Sequence, residues 1–151
     1  MTTSNTNQKE IISLLNQLLA SYQIYYQNMR GYHWNIKGKK FFELHLKFEE
    51  YYTDAALRID EIAERILTIG STPLHTFTDF LKHTKIEEHQ NVMDGDTAVA
   101  QIKSQLTRLI DLQRSLLTAA ETSSDAGTAD LATRFIAEQE KTRWMLDSYL
   151  S

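Results

Sequence analysis

Two histidines, His33 and His45, stand either side of a short glycine-containing turn, and two carboxylates, Asp60 and Glu64, follow one helical turn apart. Imidazole and carboxylate together are a donor set that borderline divalent metals such as Fe(II) and Zn(II) accept. One helix cannot bring all four to a point. His45 and Asp60 are fifteen residues apart in the sequence, which is roughly 22 Å along a helix axis, whereas a ligand must lie about 2 Å from its metal. The histidines can meet across a tight turn at residues 37–40, and Asp60 can meet Glu64 as an i, i+4 pair. Within one subunit the two halves are stranded.

A two-fold axis would reunite them. If the helix carrying His45 packs antiparallel on its own copy, centred between Tyr52 and Thr53, His45 faces Asp60, Glu49 faces Ala56 and Phe41 faces Glu64 across the axis. Isologous contacts of this kind are the commonest in homo-oligomers. His45, Glu49, Ala56, Asp60, Ala63 and Leu67 share one side of that helix, and its alanines allow close approach. The sequence therefore predicts a metal site shared at a dimer interface.

The elements that must hold these residues are helical. Residues 1–7 are rich in Ser, Thr and Asn, so a disordered tail is expected there, with a helix starting at Asn7 and Glu10. From Ile11 the residues Leu15, Leu18, Tyr22, Tyr25, Met29, Tyr32 and Ile36 recur at steps of four and three, the pattern of a bundle helix. A second stripe of Ile12, Leu19, Tyr26 and His33 widens the apolar arc. The second helix is predicted over 41–69, with Phe41, Phe48, Tyr52, Ala55, Ile59, Ile62 and Ile66 inward, and Gly70 and Pro73 stop it.

Residues 71–95 read as a long connection with one short helix near Thr76–Asp79, where Phe77, Phe80 and Leu81 seek cover. Helices follow over about 96–122, on Val99, Ile102, Leu106, Leu109, Ile110, Leu116 and Leu117, and after SSDAG to about Tyr149, on Leu131, Phe135, Trp144, Met145 and Tyr149. A connection this long can run back along the bundle. The fold class is all-α, a four-helix bundle of the ferritin-like arrangement with one crossover.

At 151 residues the chain is a single domain able to bury a core. A net charge of −4 argues against a nucleic-acid surface spread over the whole protein. No apolar run is long enough to span a membrane, and the polar start lacks the core of a signal peptide. With no cysteine, disulfides are excluded, in keeping with a cytoplasmic location.

The run H-W-N-x-x-G-x-x-F-F-x-L-H from His33 to His45, followed by D-E-I-A-E-R-I from Asp60, resembles the Dps family of miniferritins, and the resemblance extends from about Glu10 to Leu150. It implies a hollow dodecamer that stores iron and oxidises Fe(II), preferring hydrogen peroxide. It also implies ferroxidase sites between two-fold-related subunits, with His33 and His45 from one and Asp60 and Glu64 from the other. Glu49 stands where the family often has Asp, as a contact to a second iron. By the same resemblance Trp34 takes up stray oxidising equivalents, Asp125 and Asp130 line a three-fold pore, and Glu50 faces the cavity. Zn(II) is a possible competitor for the site.

Blander readings stand beside these. Asp60 and Glu64 could be solvated partners of Arg58 and Arg65, and Asp125 a favourable charge at a helix N-terminus. A di-iron site inside one bundle needs two Glu-x-x-His pairs; no E-x-x-H occurs. A DNA-binding shell is the other alternative, but the tail carries only Lys9 and the basic cluster at the turn is small (Lys37, Lys39, Lys40). A metal-free structural cage is the last, and four intact ligand positions argue against it.

Overall fold

The computed structural model describes residues 3–151, with side chains from Asn5 onward. Five helices run in the order α1 Thr3–Asn35, α2 Phe41–Thr68, α3 Phe77–His83, α4 Gly95–Thr122 and α5 Ala126–Leu150, with no strand among the described residues. All eight residues of the first α1 stripe, from Ile11 to Ile36, are buried. α1 starts at Thr3, ahead of the expected Asn7. Adding a turn to a docked helix costs little beyond local propensity, and Gln8 Nε2 donates to the Ile69 carbonyl at 3.0 Å. Residues 1 and 2 of the expected disordered tail lie outside the described residues.

α1 and α2 form an antiparallel hairpin whose turn depends on Gly38, at φ +117°, a conformation that side chains oppose. Gly70, at φ +90°, follows α2, as its predicted stop requires. The crossover is then stitched along α1 by polar side chains that no apolar stripe explains. Leu74 N donates to Asn16 Oδ1 (2.9 Å), Lys85 N to Ser21 Oγ (2.9 Å) and His89 N to Asn28 Oδ1 (3.0 Å), while Asn28 Nδ2 donates to Glu87 O (2.9 Å). Thr76 caps α3 by accepting from Asp79 N, and Phe80 and Ile86 plug the core.

Lys37 N donates to Met93 O at 2.8 Å, so α4 begins at the end of the bundle where α1 turns into α2. It therefore runs parallel to α2, as a single crossover demands. α5 returns antiparallel to α4. Met145 and Trp144, expected inward on α5, are 43% and 63% exposed, and Ile136, Gln139 and Leu146 are buried instead.

α2 and α5 meet along a polar seam. Arg58 pairs with Glu138 at 2.7 Å, Arg65 pairs with Asp125 at 2.8 Å, and Arg134 pairs with Glu61. Arg58 is only 8% exposed, not the solvated partner the sequence suggested. It sits at the spacing of the buried stripe Ala55, Arg58, Ile62 and Ile66.

Candidate metal centre

The hairpin brings His33 and His45 face to face. Their rings stack at 3.7 Å between centroids with 12° between planes. His33 Nδ1 donates to the His45 carbonyl at 2.6 Å, and His45 Nδ1 donates to the His33 carbonyl at 2.7 Å. A carbonyl oxygen has no proton to give, so each Nδ1 must carry the hydrogen. In the neutral ring the lone pair is then on Nε2, the tautomer and anchoring typical of metal-binding histidines.

The backbone explains why these acceptors are free. His33 lies in the last turn of α1, where carbonyls lack intrahelical partners. The amide four residues on, Lys37 N, is turned away to Met93 O, which leaves the His33 carbonyl to the His45 ring. The His45 carbonyl lies inside α2 and accepts the His33 ring on its second lone pair.

Asp60 and Glu64 lie exposed on α2, as does Glu49 one turn beyond His45. Within one chain they do not join the histidines: among the described residues no three His, Asp or Glu side chains converge as a metal-ligand set. Trp34 is 55% exposed, with the Arg30 guanidinium 4.8 Å from its ring. Glu50 is exposed and pairs with Lys47 at 2.7 Å.

Asp125 has a structural task. It caps α5, accepting from Thr128 N at 3.1 Å and Thr128 Oγ1 at 2.6 Å, and it pairs with Arg65. Burial alone pushes its carboxyl up, but the Thr128 hydrogen bonds and the Arg65 guanidinium outweigh that and hold it below the usual carboxylate range. A depressed value in the folded state means stability present above the ordinary carboxylate range and lost as pH falls through the lowered value. Asp125→Ala is expected to cost about 1–2 kcal/mol at neutral pH. In urea denaturation the gap to wild type should close in acid; an equal gap at both pH values would count against this. Asp130 is exposed and pairs with Arg134 at 3.3 Å.

Three features were missed in the sequence: the ring-to-carbonyl exchange, the rings flanking it, and the burial of Arg58. Arg58 and the flanking rings left a readable signal, their helical spacing; the ring-to-carbonyl exchange left none.

A four-helix bundle with one crossover, carrying an imidazole pair on its first hairpin, defines a ferritin-like protein. Residues 12–151 match the ferritin-like domain. The DNA protection during starvation protein of Porphyromonas gingivalis is 37% identical over 139 residues, covering 92% of this chain and 87% of its own. DNA protection during starvation protein 2 of Bacillus anthracis is 37% identical over 147 residues, covering 95% and 98%. The Dps protein of Vibrio cholerae O1, described as a member of a broad superfamily of ferritin-like diiron-carboxylate proteins, superposes with a TM-score of 0.95. Its sequence is 47% identical, and the match covers 98% of this chain and 92% of that one. The chain belongs to the Dps family.

Proposed function

We propose that the protein is a cytoplasmic iron-storage miniferritin that oxidises Fe(II), preferentially with hydrogen peroxide, at sites shared between two-fold-related subunits. Each site takes His33 and His45 from one subunit and Asp60 and Glu64 from the other, with Glu49 reaching a second iron position. The observation that carries this reading is the anchored imidazole pair. Two stacked rings, each with its Nδ1 hydrogen committed to a carbonyl, present two Nε2 donors and lack a carboxylate partner in their own chain. The alanine-flanked face of α2 is open to supply one: Ala56 and Asp60 are exposed there, and Leu67 is 57% exposed.

Fe(II) is the substrate. Two Fe(II) ions each give one electron to a peroxide, which takes up two protons and leaves as two waters, so no hydroxyl radical forms. Carboxylates favour the ferric product as hard oxygen donors. The product passes to the hollow of a dodecamer, past acids such as Glu50, while Asp125 and Asp130 line the pore through which cations enter. Trp34, exposed beside His33, donates an electron when a second Fe(II) is lacking. Zn(II) takes the same donors and competes.

The protection named in the relatives is read here as removal of iron and peroxide, not as contact with DNA. Of the three lysines at the turn, Lys40 lies 4.4 Å over the Tyr149 ring and 3.8 Å from Asp96, so it is partly engaged within the fold. In anaerobic stopped-flow mixing with peroxide, the intact assembly is expected to oxidise Fe(II) well beyond buffer. Asp60→Ala should lose at least about tenfold of that rate, the scale seen even for outer-shell changes. Equal rates for the two proteins would overturn the site.

A further inference from the structure

The imidazole pair is the middle of a longer column of rings. Phe41 stacks on His45 at 4.9 Å and 22°, and Tyr52 packs perpendicular to His33 at 5.3 Å and 80°. Tyr52 in turn meets Tyr26 at 5.9 Å and 89°. From this geometry we infer that Phe41 and Tyr52 are positioning residues for the two Nε2 donors, one ring packed against each imidazole. The inference rests on the shared-site reading above.

The argument is one of remaining freedom. A histidine held at Cβ and through an Nδ1–H···O bond is fixed along one edge. It can still tilt about that edge, and the tilt sweeps Nε2 through an arc. The inner faces of His33 and His45 block each other, but a stacked pair with open outer faces can tilt together. Phe41 and Tyr52 remove that shared motion. Their placement follows from helix spacing: Phe41 lies one turn before His45 on α2, and Tyr52 two turns after it, where α2 faces α1. Edge-to-face and offset-stacked contacts are the arrangements aromatic rings prefer, so the column is cohesive and not merely filled. Metal affinity is sensitive to such tilt, because a ligand site demands its donors within a few tenths of an ångström.

The test is Co(II) binding to the assembled full-length protein, followed by visible absorption, with assembly size and melting temperature as controls. Phe41→Leu and Tyr52→Leu keep an apolar side chain but remove the ring, and each is expected to weaken Co(II) binding about tenfold or more. Tyr52→Phe keeps the ring and should bind within about twofold of wild type, less than any outer-shell loss. Methionine at either position removes the ring in a second way, should a leucine variant disturb assembly. Leucine and methionine variants that bind Co(II) like wild type overturn the inference. So does a loss in Tyr52→Phe equal to that in Tyr52→Leu, which would assign the effect to the hydroxyl. If wild type itself holds no Co(II), or Asp60→Ala holds it equally well, the shared site fails instead.

Discussion

Co-assembly of a histidine-less subunit (His33→Ala with His45→Ala) and a carboxylate-less one (Asp60→Ala with Glu64→Ala) is expected to restore about a quarter of the wild-type oxidation sites, although each variant alone is inactive. The fraction follows from symmetry. In a mixed dimer one site combines the two damaged halves, and the other combines the two intact ones. Random pairing makes about half of the dimers mixed, and each of these recovers one site of two. A site within a single chain gives a different result, because every subunit of either kind carries a lesion and mixing restores nothing. Co-expression with two affinity tags, purification through both, and peroxide-driven Fe(II) oxidation per subunit would read the outcome directly. No recovery in doubly tagged cages would end the shared-site model.

One distance keeps the two halves of the donor set apart. Fifteen residues of helix separate His45 from Asp60, and no bundle geometry shortens that, so the separation of the two halves within one chain was readable from spacing alone. The α1 stripe, the glycine turn and the short helix at Thr76–Asp79 were equally readable, because each is a local signal with a fixed period or position. What escaped is what depends on groups without a side-chain identity. The acceptors that orient His33 and His45 are backbone carbonyls, and one is free only because Lys37 N bonds to Met93 O, more than fifty residues away in sequence. Trp144 escaped differently. An apolar residue at helical spacing predicts burial against something, and within one chain it is 63% exposed.

Arg58 is the sharpest case of a residue whose chemistry was hidden by its type, and it yields the largest expected effect on stability. Its guanidinium lies 4.7 Å from the Phe135 ring, with Nε 2.6 Å from Asp54 and Nη2 2.7 Å from Glu138. Nη1 is buried and has no hydrogen-bond partner among the described residues. Burial alone pulls the guanidinium toward losing its proton, but the Asp54 and Glu138 carboxylates outweigh that and keep it charged. The cation is thus desolvated and incompletely repaid, whereas both carboxylates are 55% exposed and keep much of their hydration. Two unequal outcomes follow. Removing the partners, by Asp54→Ala with Glu138→Ala, leaves a buried charge uncompensated and should cost about 3–5 kcal/mol. Replacing the charge by an apolar chain of similar reach, Arg58→Met, should stay within about 1 kcal/mol of wild type or exceed it, since the orphaned Nη1 is lost with the cation. Chemical denaturation of the three proteins at one concentration compares them. If Arg58→Met loses as much as the double variant, the seam is a net source of stability and the missing Nη1 partner carries no weight. If the order is as expected, Arg58 does not hold α2 to α5 by strength. Its place on the buried stripe with Ala55, Ile62 and Ile66 leaves Asp60 and Glu64 on the exposed side of α2.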